Sequence, residues 1–91
     1  MNSSKHLLLF GRVQGVFFRE SLAIKAAELG VTGWVRNRSD GSLEAMVQGE
    51  DAQIEAIIDW ARTGPELAQV ERMEVTEGDG HFVDFRRLPT L

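Results

Sequence analysis

A nine-residue stretch near the N-terminus, Gly11-Arg12-Val13-Gln14-Gly15-Val16-Phe17-Phe18-Arg19, restricts the possible folds more than any other part of the chain. It follows an apolar run, Leu7 to Phe10, and it precedes apolar residues at helical spacing. A strand that turns sharply into a helix leaves backbone N–H groups unpaired at the positive end of the helix dipole, and such an arrangement binds anions, phosphate above all. The stretch therefore predicts an anion-binding loop.

Arg19 falls on the first turn of the predicted helix, where its guanidinium can donate to two phosphate oxygens at once. The stretch is not a Walker loop, because no Gly-Lys-Ser/Thr follows, and it lacks the three glycines of the dinucleotide-binding fingerprint. On the residues alone, a tight strand-to-helix turn with a surface arginine is an alternative interpretation.

Length, charge and composition narrow the classes of protein to consider. The chain has 91 residues, predicted to form one domain over residues 1–91, and it has no cysteine, which excludes disulfides and thiolate chemistry. Residues 5–38 carry a net charge of +4 and residues 39–91 carry −8, so a long polyanion would be repelled by most of the chain. We expect a small anion as ligand, no nucleic acid, no membrane span and a cytoplasmic location.

The first third of the chain predicts a strand followed by a helix. The continuous apolar residues of Lys5–Phe10 are typical of a strand buried on both faces. Gly30 stands where the helix would end. The apolar face of that helix consists of Phe18, Leu22, Ala26 and Leu29.

The middle of the chain predicts a β-hairpin. Strand patterns at Val31–Asn37 and Ser42–Gln48 flank Asp40-Gly41, a dipeptide that favours tight hairpin turns. Gly49 is expected to end the second of these strands.

The remainder predicts a second helix and two further strands. Gly64-Pro65 is expected to end the helix, and Val70–Thr76 and His81–Arg86 are expected to form the strands. The apolar face of this helix consists of Ile54, Ile57, Ile58 and Ala61. Right-handed crossovers then place both helices on one face of a mostly antiparallel sheet, which is the α+β, ferredoxin-like βαββαβ sandwich.

Asn37 is the candidate partner of Arg19. It lies late in the second strand, which the hairpin can bring near the anion loop, and its carboxamide can hold a water molecule without ionising. The alternative is that Asn37 only prepares the following turn. The carboxylates form no obvious acid–base pair, no metal-ligand cluster is present, and Trp34 and Trp60 are interpreted as core residues.

Two motifs together resemble the acylphosphatase family. They are the Gly11–Arg19 stretch and Gly33-Trp34-Val35-Arg36-Asn37-Arg38-Ser39-Asp40-Gly41-Ser42-Leu43-Glu44. The resemblance implies hydrolysis of acyl phosphates without metal or cofactor, with inorganic phosphate as product and competitive inhibitor, by a cytoplasmic monomer. It also implies that Arg19 and the backbone N–H groups of Gln14, Gly15, Val16, Phe17 and Phe18 bind the phosphate, and that Asn37 positions the attacking water.

The chain departs from the family pattern at Phe10 and in its tail, Arg87-Leu88-Pro89-Thr90-Leu91. Three alternatives stand beside the enzyme: an RNA-binding module, a non-catalytic anion sensor, and an acylphosphatase-like unit of a larger carbamoyl-transfer protein. The RNA-binding alternative needs aromatic residues on the first and third strands, and Ser42–Gln48 has none. Turnover separates the enzyme from the sensor.

Overall fold

The architecture alternates strands and helices, as the sequence pattern predicts. The computed structural model describes residues 2–91. Its strands are β1 Asn2–Arg12, β2 Thr32–Asn37, β3 Leu43–Glu50, β4 Gln69–Glu77 and β5 Phe85–Arg87, and its helices are α1 Phe18–Leu29 and α2 Asp51–Thr63. Neither of these two helices of the described chain is long and apolar enough to cross a membrane.

The five strands form one sheet in the order β4-β1-β3-β2-β5. β1 is antiparallel to both β3 and β4, β2 is antiparallel to β3, and β2 and β5 are parallel. The two helices contact each other and share one core with the sheet. The predicted ferredoxin-like arrangement is confirmed.

β1 faces the core on one side only, so the prediction of burial on both faces is wrong. Leu7 and Leu9 are fully buried beneath the helices, whereas Leu8 and Phe10 are half-buried on the opposite face. Both helices pack on the same face of the sheet, and the outer face is covered by side chains of the sheet itself. There the guanidinium of Arg72 lies 4.1 Å from the ring centre of Phe10.

β4 has a bulge opposite the end of β1, where the chain leaves β1 for the loop that leads to α1. Phe10 is opposite Arg72 in β4 and Gly11 is opposite Val70, so Glu71 has no counterpart in the pairing. Gly11 has a φ of 118°, and a Cβ atom there would collide with the backbone of β4. Glycine is therefore required at this position.

α1 buries the predicted face. Phe18, Leu22 and Ala26 are buried, and Leu29 packs against the core from the edge. Gly30 ends the helix in the left-handed conformation, and its N–H donates to carbonyl oxygens of the last turn.

α2 also follows its predicted pattern, but the strand before it is longer than expected. Gly49 does not end β3, because β1 continues to pair with β3 through Glu50, and this pairing overrides the local turn preference. Glu50 then caps α2 in a capping box with Gln53. The helix ends at Gly64, as predicted.

The last strand is shorter and later than His81–Arg86. β5 comprises Phe85–Arg87, and the preceding residues cross the end of the sheet between β4 and β5. Gln48 holds this crossing, since its side chain donates to the carbonyl of Gly80 (2.9 Å) and accepts the N–H of Phe82 (3.0 Å). This side-chain pairing replaces the predicted strand.

The two tryptophans lie on different faces of the sheet. Trp60 packs edge-on against Phe18, with ring centres 5.7 Å apart, and contacts the core. Trp34 is not a core residue: it alternates with the buried Gly33 and Val35, so it lies on the outer face, where the guanidinium of Arg36 covers its ring at 4.7 Å.

Candidate active site

The loop between β1 and α1 has an unusual backbone conformation. Gly15 and Phe17 both have left-handed backbone angles, with φ of 71° and 63°. The left-handed region is unfavourable for a bulky residue, and the Phe17 side chain is 71% exposed, so its own packing does not compensate. Val13 and Val16, by contrast, are buried and fasten the loop to the core. The unfavourable conformation of Phe17 is therefore a property of the loop backbone, and it sets the direction in which that backbone runs.

That direction leaves a series of N–H groups available to a ligand. Val13 donates its N–H to Gly11 (3.1 Å), and the next loop or helix N–H with an acceptor is that of Ser21, which donates to Phe17 (3.0 Å). Within residues 2–91, the N–H groups of Gln14–Glu20 have no acceptor. They lie at the N-terminus of α1, whose N-cap, Phe17, supplies no side-chain hydrogen bond. This is the geometry of an anion site.

Gln14 joins the loop to the β2–β3 hairpin. Its side-chain amide donates to the carbonyl oxygens of Arg38 (2.8 Å) and Ser42 (2.9 Å). The hairpin is closed by Asp40, whose carboxylate accepts the N–H (2.9 Å) and hydroxyl (2.6 Å) of Ser42. These bonds fix the loop against the end of β2, the strand that carries Asn37.

Asn37 ends β2 with an unused acceptor. Its side-chain oxygen Oδ1 is buried and has no hydrogen-bond partner among the described residues. Its backbone carbonyl accepts the N–H of Leu91 at 3.0 Å. A buried polar atom without a partner destabilises the fold unless a ligand or water satisfies it, so this oxygen marks a position where a polar group binds.

A cleft of about 580 Å³ brings these features together. The loop and α1 form one wall: Val13, Gln14, Gly15, Phe17, Phe18, Arg19 and Glu20. Asn37 and the tail form the other: Asn37, Arg87, Leu88 and Pro89. Arg19 and Asn37, predicted from the sequence as partners, thus line the same cleft. Val16 does not line it, and its side chain is buried in the core.

Five lining residues were absent from the predicted site: Val13, Glu20, Arg87, Leu88 and Pro89. The three tail residues reach the cleft because β5 pairs with β2 and the chain continues along it, with the N–H of Leu88 donating to Val35 (2.8 Å). The only sequence signal for them is that the tail departs from the family pattern.

Among residues 2–91, two carboxyl side chains have shifted pKa values, and neither lines the cleft. Hydrogen bonds from Ser42 and the charge of Arg38 lower the pKa of Asp40 in the hairpin turn. Burial would raise the pKa of Glu44, but hydrogen bonds from His6 and Arg36 outweigh it and lower the pKa. Glu44 lies on the outer face of the sheet. Among residues 2–91, no histidine lines the cleft.

The acylphosphatase family model matches residues 5–87. The chain belongs to the acylphosphatase family. An acylphosphatase of Thiobacillus denitrificans is 54% identical over 82 residues, which cover 90% of this chain and 92% of that protein.

Solved structures agree with this assignment. An acylphosphatase from Coxiella burnetii is 40% identical, with a TM-score of 0.91 over 96% of this chain and 93% of its own. The structure of full-length HypF in a phosphate- and nucleotide-bound form is 29% identical, with a TM-score of 0.91 over 99% of this chain but 12% of its own. The chain is therefore an acylphosphatase hydrolase that acts on acyl phosphates, and the RNA-binding and sensor alternatives are set aside.

Proposed function

We propose that the cleft hydrolyses acyl phosphates by direct attack of water on phosphorus, with Arg19 and the loop holding the phosphate and Asn37 positioning the water. The observation that carries this proposal is the buried, unpartnered Oδ1 of Asn37, in the same cleft as Arg19 and the free N–H groups of the loop. We further propose that residues 1–91 form one domain.

The phosphoryl group is assigned to the loop and Arg19. The N–H groups of residues 14–18 can each donate to a phosphoryl oxygen, and the dipole of α1 favours negative charge there. Arg19 has no ion-pair partner among the described residues, so its guanidinium is available for two parallel hydrogen bonds. These donors stabilise the charge on the equatorial oxygens in the transition state.

Asn37 is assigned the role of positioning the nucleophile, a water molecule. Its Oδ1 accepts a hydrogen bond from the attacking water and directs a lone pair of the water oxygen toward phosphorus, opposite the acyl oxygen. The P–O bond to the acyl group breaks, and its electrons leave with the carboxylate, a weak base that does not need protonation. Both protons of the water remain on the phosphate product, which leaves a carboxylate and dihydrogen phosphate. Positioning and electrostatic stabilisation thus suffice for the reaction.

The test is the hydrolysis of benzoyl phosphate by the parent protein and by Arg19→Ala and Asn37→Ala, with inorganic phosphate as competitor. Loss of one oxyanion donor lowers kcat by about 10²–10³, and Arg19→Ala should exceed this because it removes a charge and two bonds. Asn37→Ala should lower kcat while phosphate still competes as in the parent protein.

Arg12→Ala is the matched control, because Arg12 is an exposed arginine at the end of β1 that does not line the cleft. A folded Asn37→Ala variant with the parent kcat would disprove the role of Asn37. Failure of inorganic phosphate to compete would disprove the assignment of the loop.

The family resemblance also supports a cytoplasmic monomer, which we include in the proposal. Sedimentation equilibrium at the concentrations used for the assay tests the oligomeric state, and a dimer mass would contradict it.

A further inference from the structure

Arg87 is an unpaired charge on the wall of the cleft that the tail forms. Among residues 2–91 its guanidinium has no hydrogen-bond, ion-pair or ring partner. The charged residues lining the cleft are Arg19, Glu20 and Arg87, and Glu20 forms an ion pair with neither arginine. With Arg19 assigned to the phosphoryl group, the charge of Arg87 is left without a counterpart.

The pairing of β5 with β2 explains why Arg87 faces the cleft. Arg87 is opposite Val35, a core residue, and it alternates with Phe85, which packs against the core. Side chains two positions apart share a face of the sheet, so Arg87 lies on the helix face. Arg86 lies on the other face, where its guanidinium binds the carboxylate of Asp84 (3.1 Å).

Leu88 and Pro89 follow Arg87 along the same wall, so the cation adjoins an apolar surface. A substrate held by its phosphate in the loop has an organic acyl group to accommodate, and this wall belongs to the tail rather than to the loop. An apolar surface with one cation at its end suits an organic group that carries a negative charge.

We infer that Arg87 is a specificity-determining residue, which binds a second anionic group on the acyl portion and makes acyl phosphates with a carboxylate or a further phosphate the favoured substrates. This inference rests on the proposed function, since it presumes that the phosphate occupies the loop. Both kinds of substrate carry an anionic group on the acyl portion, away from the reacting phosphate. An ion pair in a partly exposed cleft is weak, so the preference is modest.

The experiment compares three benzoyl phosphates: one with a 4-carboxylate, one with a 3-carboxylate and one with a neutral 4-carboxamide. None of the carboxylates can reach the anhydride within its own molecule. The measured quantity is the ratio of kcat/KM for each charged substrate to that for the neutral one. Comparing this ratio between proteins removes the intrinsic reactivity of the substrates. A fourth substrate, 4-phosphonobenzoyl phosphate, carries a phosphonate as the analogue of a further phosphate and distinguishes the two kinds of anion.

Arg87→Gln should lower the ratio about threefold to tenfold for at least one charged substrate, the range expected for a partly exposed charged contact. Arg87→Lys should retain most of the ratio, because the charge remains. Arg86→Gln is the matched control, since it removes a charge from the neighbouring residue on the opposite face, and it should leave the ratio unchanged. Added salt should reduce the ratio in the parent protein.

An unchanged ratio in Arg87→Gln for all charged substrates would overturn the inference while turnover upheld the proposed function. An equal loss for charged and neutral substrates would also overturn it and would assign Arg87 to the phosphoryl group. No turnover of any substrate by the folded parent protein would overturn the proposed function and this inference with it.

Discussion

Leu91 donates its backbone N–H to the carbonyl of Asn37 across 3.0 Å, which ties the tail to the residue proposed to position the nucleophile. The N–H of Ser39 donates in turn to the backbone oxygen of Leu91 at 2.9 Å. The end of β2 is thus held from one side by β3 and from the other by the tail. A change in the tail should therefore affect catalysis without touching a cleft-lining side chain.

Deletion of Leu91 removes both of these bonds, each worth about 0.5–1.5 kcal/mol of stability. We expect the free energy of unfolding to fall by that order. We also expect kcat for benzoyl phosphate to fall by about threefold or more, since small displacements of a positioning group slow the reaction. Urea unfolding and steady-state kinetics measure the two effects. Leu91→Ala is the control, because its exposed side chain is not needed for the backbone bonds. A deletion variant with the parent kcat would show that the tail does not position Asn37.

Substitution of Gln14 is a second way to weaken the hydrogen bonds that hold the two walls of the cleft together. Gln14→Glu replaces an amide that donates to the carbonyls of Arg38 and Ser42 with a carboxylate that repels them. We expect a loss of about 1–3 kcal/mol in the free energy of unfolding, the range for breaking part-buried hydrogen bonds. Weaker competition by inorganic phosphate should accompany it. Gln14→Leu, which removes the donors without adding charge, should lose less.

The control for Gln14 is Gln69→Glu, since Gln69 is exposed at the start of β4. This variant adds the same charge, and the Gln69 side chain has no hydrogen bond within residues 2–91 that the substitution could break. Equal stability and equal phosphate competition in Gln14→Glu and Gln69→Glu would show that the hydrogen bonds between the loop and the hairpin do not stabilise the protein or its phosphate site.

The left-handed backbone conformations of Gly15 and Phe17 predict opposite effects on stability for two substitutions. Phe17→Gly relieves an unfavourable backbone conformation that costs about 1–2 kcal/mol, and part of this gain is offset by the greater freedom of glycine when unfolded. We expect a stability gain of about 0.5–1 kcal/mol. Gly15→Ala introduces the same kind of strain and should cost about 1 kcal/mol, although no atom lies within 4 Å of the new methyl group. Thermal unfolding of both variants tests the pair, and destabilisation by Phe17→Gly would contradict it.

The sequence predicts the elements whose patterns are local. Helical spacing identifies α1 and α2, Gly30 and Gly64 mark their ends, and Asp40-Gly41 marks the hairpin. Arg19 and Asn37 are predicted as site residues because a recognisable motif surrounds each of them. Their common cleft depends on the strand order, which the alternation of strands and helices already implies.

Pairing between distant parts of the chain accounts for what the sequence did not predict. Gly49 looks like a strand end, but β1 pairs with it from the other end of the chain. Arg87 reaches the cleft only because β5 lies parallel to β2, some fifty residues earlier, and no local pattern in the tail encodes that neighbour. The burial of one face of β1 likewise depends on where both helices pack.

Glu44 gives a pH-dependent prediction remote from the cleft. Burial would raise its pKa, but hydrogen bonds from His6 (2.6 Å) and Arg36 (2.8 Å) bring the pKa below the ordinary value of 4.5. Because the pKa is lower in the folded state, the carboxylate stabilises the fold fully above about pH 4.5, and this contribution is lost as the pH falls through the folded pKa.

Glu44→Gln should therefore lower the free energy of unfolding at pH 7, by about 1 kcal/mol for partly exposed pairs, and the difference from the parent should shrink below pH 4.5. Urea unfolding of both proteins from pH 3 to pH 7 measures it, with Glu74→Gln on the exposed strand β4 as control. A difference that stays constant over this range would show that ionised Glu44 does not stabilise the sheet.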